Sequence, residues 1–384
     1  MKLTIERGML LKMLTHIQSV VERRNTIPIL SNVKFDAPDE NLSLNATDMD
    51  LDIVETVPAD VEVHGTTTAP AHTLFDIVRR LPEGSQVNLD SSGDSGSLVL
   101  TSARSRFTLT CLPTEDFPII SSGELPYNFN ISAGNLRDVI DCTRFAISTE
   151  ETRYYLNGIY LHEAVKVEEP VLRAVATDGH RLASVEVPRP EGAEGMPGVI
   201  IPRKTVTELR KLIEETSEDI AIAMSDTKIR FSFEGAVLTS KLIDGTFPDY
   251  DRVIPTANDK VLEVDTKSFA DAIGRVSAIS TEKSRAVKLA LANDNLTLSA
   301  SGAENDLAVE ELSVNYKAEE IEIGFNSRYL QDITQQISGP SARLTLADAA
   351  SPTLVQEVGD ESVLYVLMPM RAVSYTHLTL PTNR

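Results

Sequence analysis

Apolar positions along this chain follow two periods, and the switch between them recurs. Three segments open alike: Leu3-Thr-Ile-Glu-Arg-Gly-Met-Leu-Leu-Lys-Met-Leu14, Phe129-Asn-Ile-Ser-Ala-Gly-Asn-Leu-Arg-Asp-Val-Ile140 and Leu262-Glu-Val-Asp-Thr-Lys-Ser-Phe-Ala-Asp-Ala-Ile273. Each alternates with period two, as a half-buried strand does, and then places apolar residues at i, i+3 and i+4, as one helix face does. Aligning Leu10, Leu136 and Phe269 gives offsets of 126 and 133 residues. Alternating strands follow at Leu42–Asp48, Leu172–Asp178 and Leu296–Ser301. A second strand-to-helix opening then returns at Thr67–Leu81, Val199–Ile213 and, with a few positions skipped, Ile321–Ile337. Strands such as Lys228–Phe233 come after it. The pattern predicts an α+β chain of three tandem copies, each built of two strand–helix–strands halves. Repeats that meet by one geometry form a curved array, and a rotation that closes gives a ring.

The pattern breaks at Pro118–Pro126 and at Val253–Lys260, which places the domains at 1–123, 127–253 and 255–372. The loop Pro188–Pro197, rich in Pro, Gly and Glu, is expected to lie in solvent within copy two.

Composition narrows the function classes. Trp is absent and aromatics are 5% of the 384 residues, so the cores are expected to be aliphatic. Cys111 and Cys142 form no CxxC pair, and the six His show no zinc spacing. The first residues lack the apolar stretch of a signal peptide, and no apolar run approaches the ~18 residues of a membrane span. These features predict a cytoplasmic protein with no metal, no cofactor and no membrane partner.

The net charge of −21 opposes nucleic-acid binding unless the basic residues are gathered on one surface. On the predicted helices, Arg137 and Arg144, Arg203 and Arg210, and Lys204 and Lys211 are each seven residues apart, about two turns. Lys267 and Arg275, Lys12, Arg79, Arg80 and Arg328 also lie on helices, while acidic residues gather at Glu163–Glu169, Glu191–Glu194, Glu304–Asp306 and Glu319–Glu322. A basic helical lining inside an acidic exterior satisfies these positions; so do ordinary solvated helix faces. A lining of this kind would cross phosphates without reading bases.

No phosphate-binding glycine loop, HExxH, GxSxG or DxDxDG sequence occurs. The cluster Ala176-Thr-Asp-Gly-His-Arg-Leu182 reads either as acid–base chemistry on Asp178, His180 and Arg181 or as a tight turn at Asp-Gly. Tyr365-Val-Leu-Met-Pro-Met-Arg371 sets two methionines about a proline, which suits an adaptable peptide surface as well as a core strand.

Four stretches, two of them new here, carry a resemblance. Arg153-Tyr-Tyr-Leu-Asn-Gly158, Ala176–Leu182, Thr239-Ser-Lys-Leu-Ile-Asp-Gly-Thr-Phe-Pro-Asp-Tyr250 and Leu367-Met-Pro-Met-Arg371 resemble the bacterial DNA polymerase III β subunits, the β sliding clamps. Pro28-Ile-Leu30 and Leu81-Pro-Glu-Gly84 fit too, and the likeness runs from Met1 to about Arg371. It implies a non-catalytic, head-to-tail homodimeric ring, helices lining the hole and sheets outside, that encircles double-stranded DNA without sequence specificity. The ring would tether the replicative polymerase and be opened by a clamp loader. The DNA polymerase III α subunit, other polymerases and repair proteins would bind through linear peptide motifs.

By that resemblance the peptide pocket comprises Leu156, Thr177, Gly179, His180, Arg181, Leu182, Pro248, Arg252, Val253, Val366, Met368, Pro369, Met370 and Arg371. Arg24 and Arg79 match family positions facing DNA, whereas Arg137, Arg203 and Lys204 rest on the helix spacing. Phe107 and Leu109 resemble the dimer edge of the first domain, and Ile279 the facing surface of the third. The loop Thr149-Glu-Glu-Thr152 is acidic where the family can approach DNA, so no contact is expected there. Ala372–Arg384 has no counterpart in any repeat, and residues 373–384 are expected to be a non-family tail, a sequence artefact outside the fold. Two other readings remain at this point: an enzyme centred on His180, and a β-rich adaptor that binds peptides but not DNA.

Overall fold

Six times over, the described chain runs strand, helix, three strands. The computed structural model describes residues 1–370 except 24, 25, 92, 94, 95, 121, 122, 167, 168, 281–284 and 303–305. The first half-repeat is β1 (Lys2–Glu6), α1 (Arg7–Val20), β2 (Asn32–Ala37), β3 (Asn41–Thr47) and β4 (Leu51–Pro58), followed by the short β5 (Asp60–Val63). The second is β6 (Gly65–Pro70), α2 (Ala71–Arg80), β7 (Gln86–Asp90), β8 (Ser97–Ser102) and β9 (Ser105–Thr110). The third is β10 (Tyr127–Ser132), α3 (Ala133–Arg144), β11 (Gly158–Lys166), β12 (Glu169–Thr177) and β13 (Arg181–Pro188). The fourth is β14 (Val199–Pro202), α4 (Arg203–Leu212), β15 (Asp219–Met224), β16 (Lys228–Phe233) and β17 (Ala236–Lys241). The fifth is β18 (Lys260–Asp265), α5 (Thr266–Ser277), β19 (Ala286–Ala292), β20 (Asn295–Ser301) and β21 (Leu307–Ser313), trailed by β22 (Asn315–Tyr316). The sixth is β23 (Ile321–Asn326), α6 (Ser327–Thr334), β24 (Ser341–Leu346), β25 (Thr353–Glu357) and β26 (Val363–Leu367).

The two halves of a copy exchange strands, which the sequence pattern does not reveal. The leading strand of one half pairs with the three trailing strands of the other: β1 with β7–β8–β9, β6 with β2–β3–β4, β10 with β15–β16–β17, β18 with β24–β25–β26, and β23 with β19–β20–β21. Two further pairings join one copy to the next. β4 pairs antiparallel with β17, Asp52 opposite Thr239, and β13 pairs antiparallel with β26, Leu182 opposite Val366. Among the described residues, β9 and β21 are the two of the six closing strands that end their sheets.

Local sequence explains why these elements form. α1 buries Leu10, Met13, Leu14, Ile17 and Val20, a helical stripe whose members each contribute roughly 2 kcal/mol on leaving water. Its N-cap is Glu6, whose carboxylate accepts the Met9 N–H at 3.0 Å; this bond and one from Gly8 hold Glu6 below the usual carboxylate range. Asp265 caps α5 and Asn326 caps α6 in the same way. Pro70 and Pro202 instead end their strands at φ near −60°, already close to the helical value that α2 and α4 take up. Strands such as β1 and β20 bury every second residue.

By contacts the chain divides into two compact units. One comprises Met1–Ile140, Gly158–Leu172 and Pro188–Gly245; the other comprises Asp141–Asn157, Arg173–Val187 and the chain from Thr246 on. Two expectations need correction. The loop 188–197 is not simply solvated: Ala193 and Met196 are buried, and Arg189 pairs with both Glu163 and Glu194. Nor are the cores purely aliphatic, since Phe35, Phe231, Phe269, Phe325, Tyr316 and Tyr365 are fully buried. Few aromatics in the composition do not make few aromatics in the core, because those present go inside.

Candidate functional site

The motif at 176–182 forms the tight turn between β12 and β13. Thr177 Oγ1 donates to the Arg181 carbonyl at 2.7 Å and accepts the Gly179 N–H at 3.1 Å. Asp178 Oδ1 accepts the N–H groups of His180 (2.9 Å) and Arg181 (3.0 Å). Gly179 sits at φ +87°, where a side chain is strained. A Cβ there would stand 2.6 Å from Nη1 of Arg153. Asp178 thus accepts from two backbone donors and from Arg181 Nε at 3.1 Å, the wiring of the tight-turn reading of the cluster.

Arg181 is held on every side. It pairs with Asp178 and Asp332, donates to the Phe145 carbonyl at 2.6 Å, and lies over the rings of Phe145 (5.1 Å) and Tyr329 (4.4 Å). The exposed His180 ring stacks on Tyr329 at 6.3 Å. Burial pushes the Tyr329 phenol above its ordinary value. Arg153 forks onto Glu150 at 2.8 and 2.6 Å, and that bond holds the Glu150 carboxyl below its usual range.

The predicted pocket residues fall into a floor and a rim. Leu156, Leu182 and Val366 are buried. Thr177, Arg181, Met368 and Pro369 are partly exposed, and Gly179, His180, Pro248, Arg252, Val253 and Met370 are exposed. Hydrogen bonds tie several of these segments together: Met368 N–H donates to the His180 carbonyl at 2.9 Å, and Met370 N–H to Gly324 at 2.7 Å. Pro248, Arg252 and Val253 flank Tyr250, whose hydroxyl accepts from Arg173 of β12 at 3.0 Å. Arg371 lies outside the described residues. Sequence reasoning left Arg153, Tyr329 and Asp332 out of the site. Arg153 stood in a motif already noted, but nothing in sequence brings α6 to this turn.

The basic residues predicted for DNA divide in two. Arg79 is exposed at the end of α2, 3.0 Å from Asp76 and over the Phe75 ring, and Arg203 is exposed at the start of α4. Arg137 instead donates to the carbonyls of Ile213 (2.8 Å) and Thr216 (2.7 Å) just past α4. Lys204 pairs with Asp48 and donates to Val20, the last residue of α1, at 3.0 Å. Both cations therefore satisfy backbone carbonyls at or just past helix ends. Arg24 lies outside the described residues. Most other helix cations also face a carboxylate: Arg144 with Asp141, Lys211 with Glu208, Lys267 with Asp271 and Arg275 with Glu310. The Arg144, Lys267 and Arg275 pairs are exposed and worth little, so phosphate can compete for those cations, whereas Glu208 is buried beneath Lys211.

Phe107 is half-buried and Leu109 buried on the end strand β9, and Ile279 is partly exposed just after α5. Among the described residues no group of three or more His, Cys, Asp or Glu could hold a metal, and no helix is long and apolar enough to cross a membrane.

Comparison with known proteins accounts for this architecture. The N-terminal, central and C-terminal domain profiles of the DNA polymerase III beta subunit match residues 1–121, 130–249 and 251–371. The beta sliding clamp of Caulobacter vibrioides is 55% identical over 97% of this chain and 100% of its own length. That of Escherichia coli K12 is 36% identical with the same coverage. The crystal structure of the Caulobacter crescentus beta sliding clamp superposes with a TM-score of 0.94 at 55% identity, covering 97% of this chain and 99% of that one. A sliding clamp from Bartonella birtlesii bound to griselimycin gives 0.93 at 48% identity with the same coverage. Three tandem clamp domains, matched in order along nearly the whole length, make this chain a member of the DNA polymerase III beta subunit family, the beta sliding clamps.

Proposed function

We propose that this DNA sliding clamp, a non-catalytic subunit of DNA polymerase III, closes as a head-to-tail homodimer through β9 of one chain and β21 of the other. The observation that carries this is the strand count. Each internal junction pairs the closing strands of two half-repeats, β4 with β17 and β13 with β26, and β9 and β21 are left over. Chemistry supports their union. Arg104 and Arg106 are exposed at β9, while Leu307, Val309 and Glu311 are exposed on β21. An unpaired edge of this kind invites another strand.

Duplex DNA would pass through the ring, held by topology and steered by weak contacts to Arg79, Arg203 and Arg24. Arg137 and Lys204 would add charge while remaining tied to helix ends. The floor and rim around Thr177–Leu182 would take linear peptides of the polymerase α subunit, other polymerases, repair proteins and the clamp loader. Griselimycin, carried by the Bartonella birtlesii clamp, would occupy the same floor. The clamp would work in the cytoplasm, in domains bounded near residues 123–127 and 253–255.

The test is retention of loaded clamp on nicked circular DNA before and after linearisation. The expected result is retention on circles and loss through the free ends. Equal loss from both forms, or a monomer mass in solution at working concentration, would overturn the proposal.

A further inference from the structure

The exposed rim residues Pro248, Arg252 and Val253 lie on a segment whose position is fixed from beneath. Phe247 and Tyr250 are buried, and their rings meet edge to face at 6.3 Å. The strongest polar hold comes from Arg173 on β12. Its Nε donates to Glu186 of β13 at 2.8 Å and its Nη2 lies 2.6 Å from the same carboxylate. Its Nη1 donates to the Tyr250 hydroxyl at 3.0 Å and stands 3.7 Å from Asp251. The Arg173 and Glu186 side chains are only 17% and 11% exposed. One guanidinium therefore spans two strands of the sheet and the short turn Tyr250–Val253, using its planar fork on one side and its remaining nitrogen on the other. Burial works against its charge, and the Tyr250 hydroxyl and Glu186 carboxylate more than offset it.

We infer that Arg173 and Glu186 are positioning residues for the peptide site: they latch the 247–253 segment to β12 and β13 and so set where Arg252 and Val253 meet a bound ligand. The inference rests on the site reading above. Neither latch residue need touch ligand. A latch of this sort fixes a rim at low entropic cost, and loosening it makes each binding event re-order the turn.

The experiment uses the full-length dimer and griselimycin as the probe, with affinity read by calorimetry and, in parallel, dimer mass and retention on circular DNA. Arg173→Met alone leaves the buried Glu186 carboxylate without its guanidinium, so the decisive variant is the double R173M/E186Q, which removes both charges. The expected result is an affinity loss of about tenfold, the scale of a lost charge-assisted hydrogen bond, with dimer mass and DNA retention unchanged. Tyr250→Phe, which deletes only the accepting hydroxyl, should give a smaller loss in the same direction. Val253→Asp serves as the control on the site itself. If R173M/E186Q binds like the parent while V253D does not, the latch is wrong and the site stands. If V253D also binds like the parent, the site reading fails and the latch with it. Loss of dimer or of DNA retention alongside affinity would mark Arg173 as a general structural residue and overturn the inference.

Discussion

The turns at Thr47–Leu51 and Thr177–Arg181 occupy matching places in copies one and two, and their backbones are wired identically. Thr47 Oγ1 donates to the Leu51 carbonyl at 2.9 Å and accepts Met49 N–H at 3.0 Å, while Asp48 Oδ1 accepts from Asp50 (2.9 Å) and Leu51 (2.7 Å). Each bond has its partner in the second turn, down to the Lys241 N–H on the Asp50 carbonyl where Met368 meets His180. The side chains differ. Met49 takes the left-handed conformation that Gly179 takes, at φ +78°. Lys204 and Lys241 occupy Asp48 and Asp50 with ion pairs. Where Leu182 faces Val366 across the strand junction, Asp52 faces Thr239. Backbone wiring is thus shared, and the difference between an apolar floor and a polar one lies in a few side chains.

Exchanging those side chains tests the comparison. The largest effect is expected from Leu182→Asp, which puts a carboxylate on the 3% exposed floor. It should cost roughly 3 kcal/mol or more of stability in thermal unfolding and abolish griselimycin binding. A folded variant with parental affinity would show that the apolar floor is not what separates the two turns.

Next comes Asp52→Asn. Burial raises the Asp52 carboxyl to about 6, against the pull of Asn45 and Arg230, and among the described residues its Oδ1 has no hydrogen-bond partner. Between pH 4 and 6 the folded state holds a proton that the unfolded state has lost, so this group lowers stability as pH rises and keeps it lowered above 6. Asn removes that slope. The variant should be more stable than the parent by up to about 3 kcal/mol at pH 8 and no different at pH 3.5. A gain that does not depend on pH would mean that Asp52 titrates normally.

The smallest effects come from the reciprocal pair at the left-handed position. Gly179→Ala should destabilise by about 1–2 kcal/mol and weaken griselimycin binding, since the new methyl meets both the strained φ and the Arg153 guanidinium. Met49→Gly should relieve similar strain, less the entropy of a freer unfolded chain, for a net change within about 0.5 kcal/mol and no change in probe affinity. Equal effects on binding would make the two turns functionally alike.

Much of this was legible from the chain. The change of hydrophobic period located all six strand-to-helix openings, because half-buried strands and single-faced helices write their burial directly into spacing. Strand exchange between halves was not legible: β1 and β7 are far apart in sequence, and alternation says which face is buried, not which neighbour lies alongside. The helix positions of Arg137 and Lys204 were visible but their partners were not, since a cation aimed at a helix end has the same periodicity as one aimed at solvent. At the site, the Thr177–Leu182 turn could be read from its Asp-Gly step. Arg173, Tyr329 and Asp332 could not, because their roles depend on distant elements that carry no local signal.

The leftover strands β9 and β21 have unlike sequences and close the second and the fifth half-repeat, in the first and the third copy. If the proposed closure through unlike edges holds, the two-fold axis would run along the hole, and any feature of one chain would reappear on the same face of the assembly. Both peptide sites would then look one way along the duplex. The ring would have a front and a back, and whatever it tethers would inherit a direction of travel.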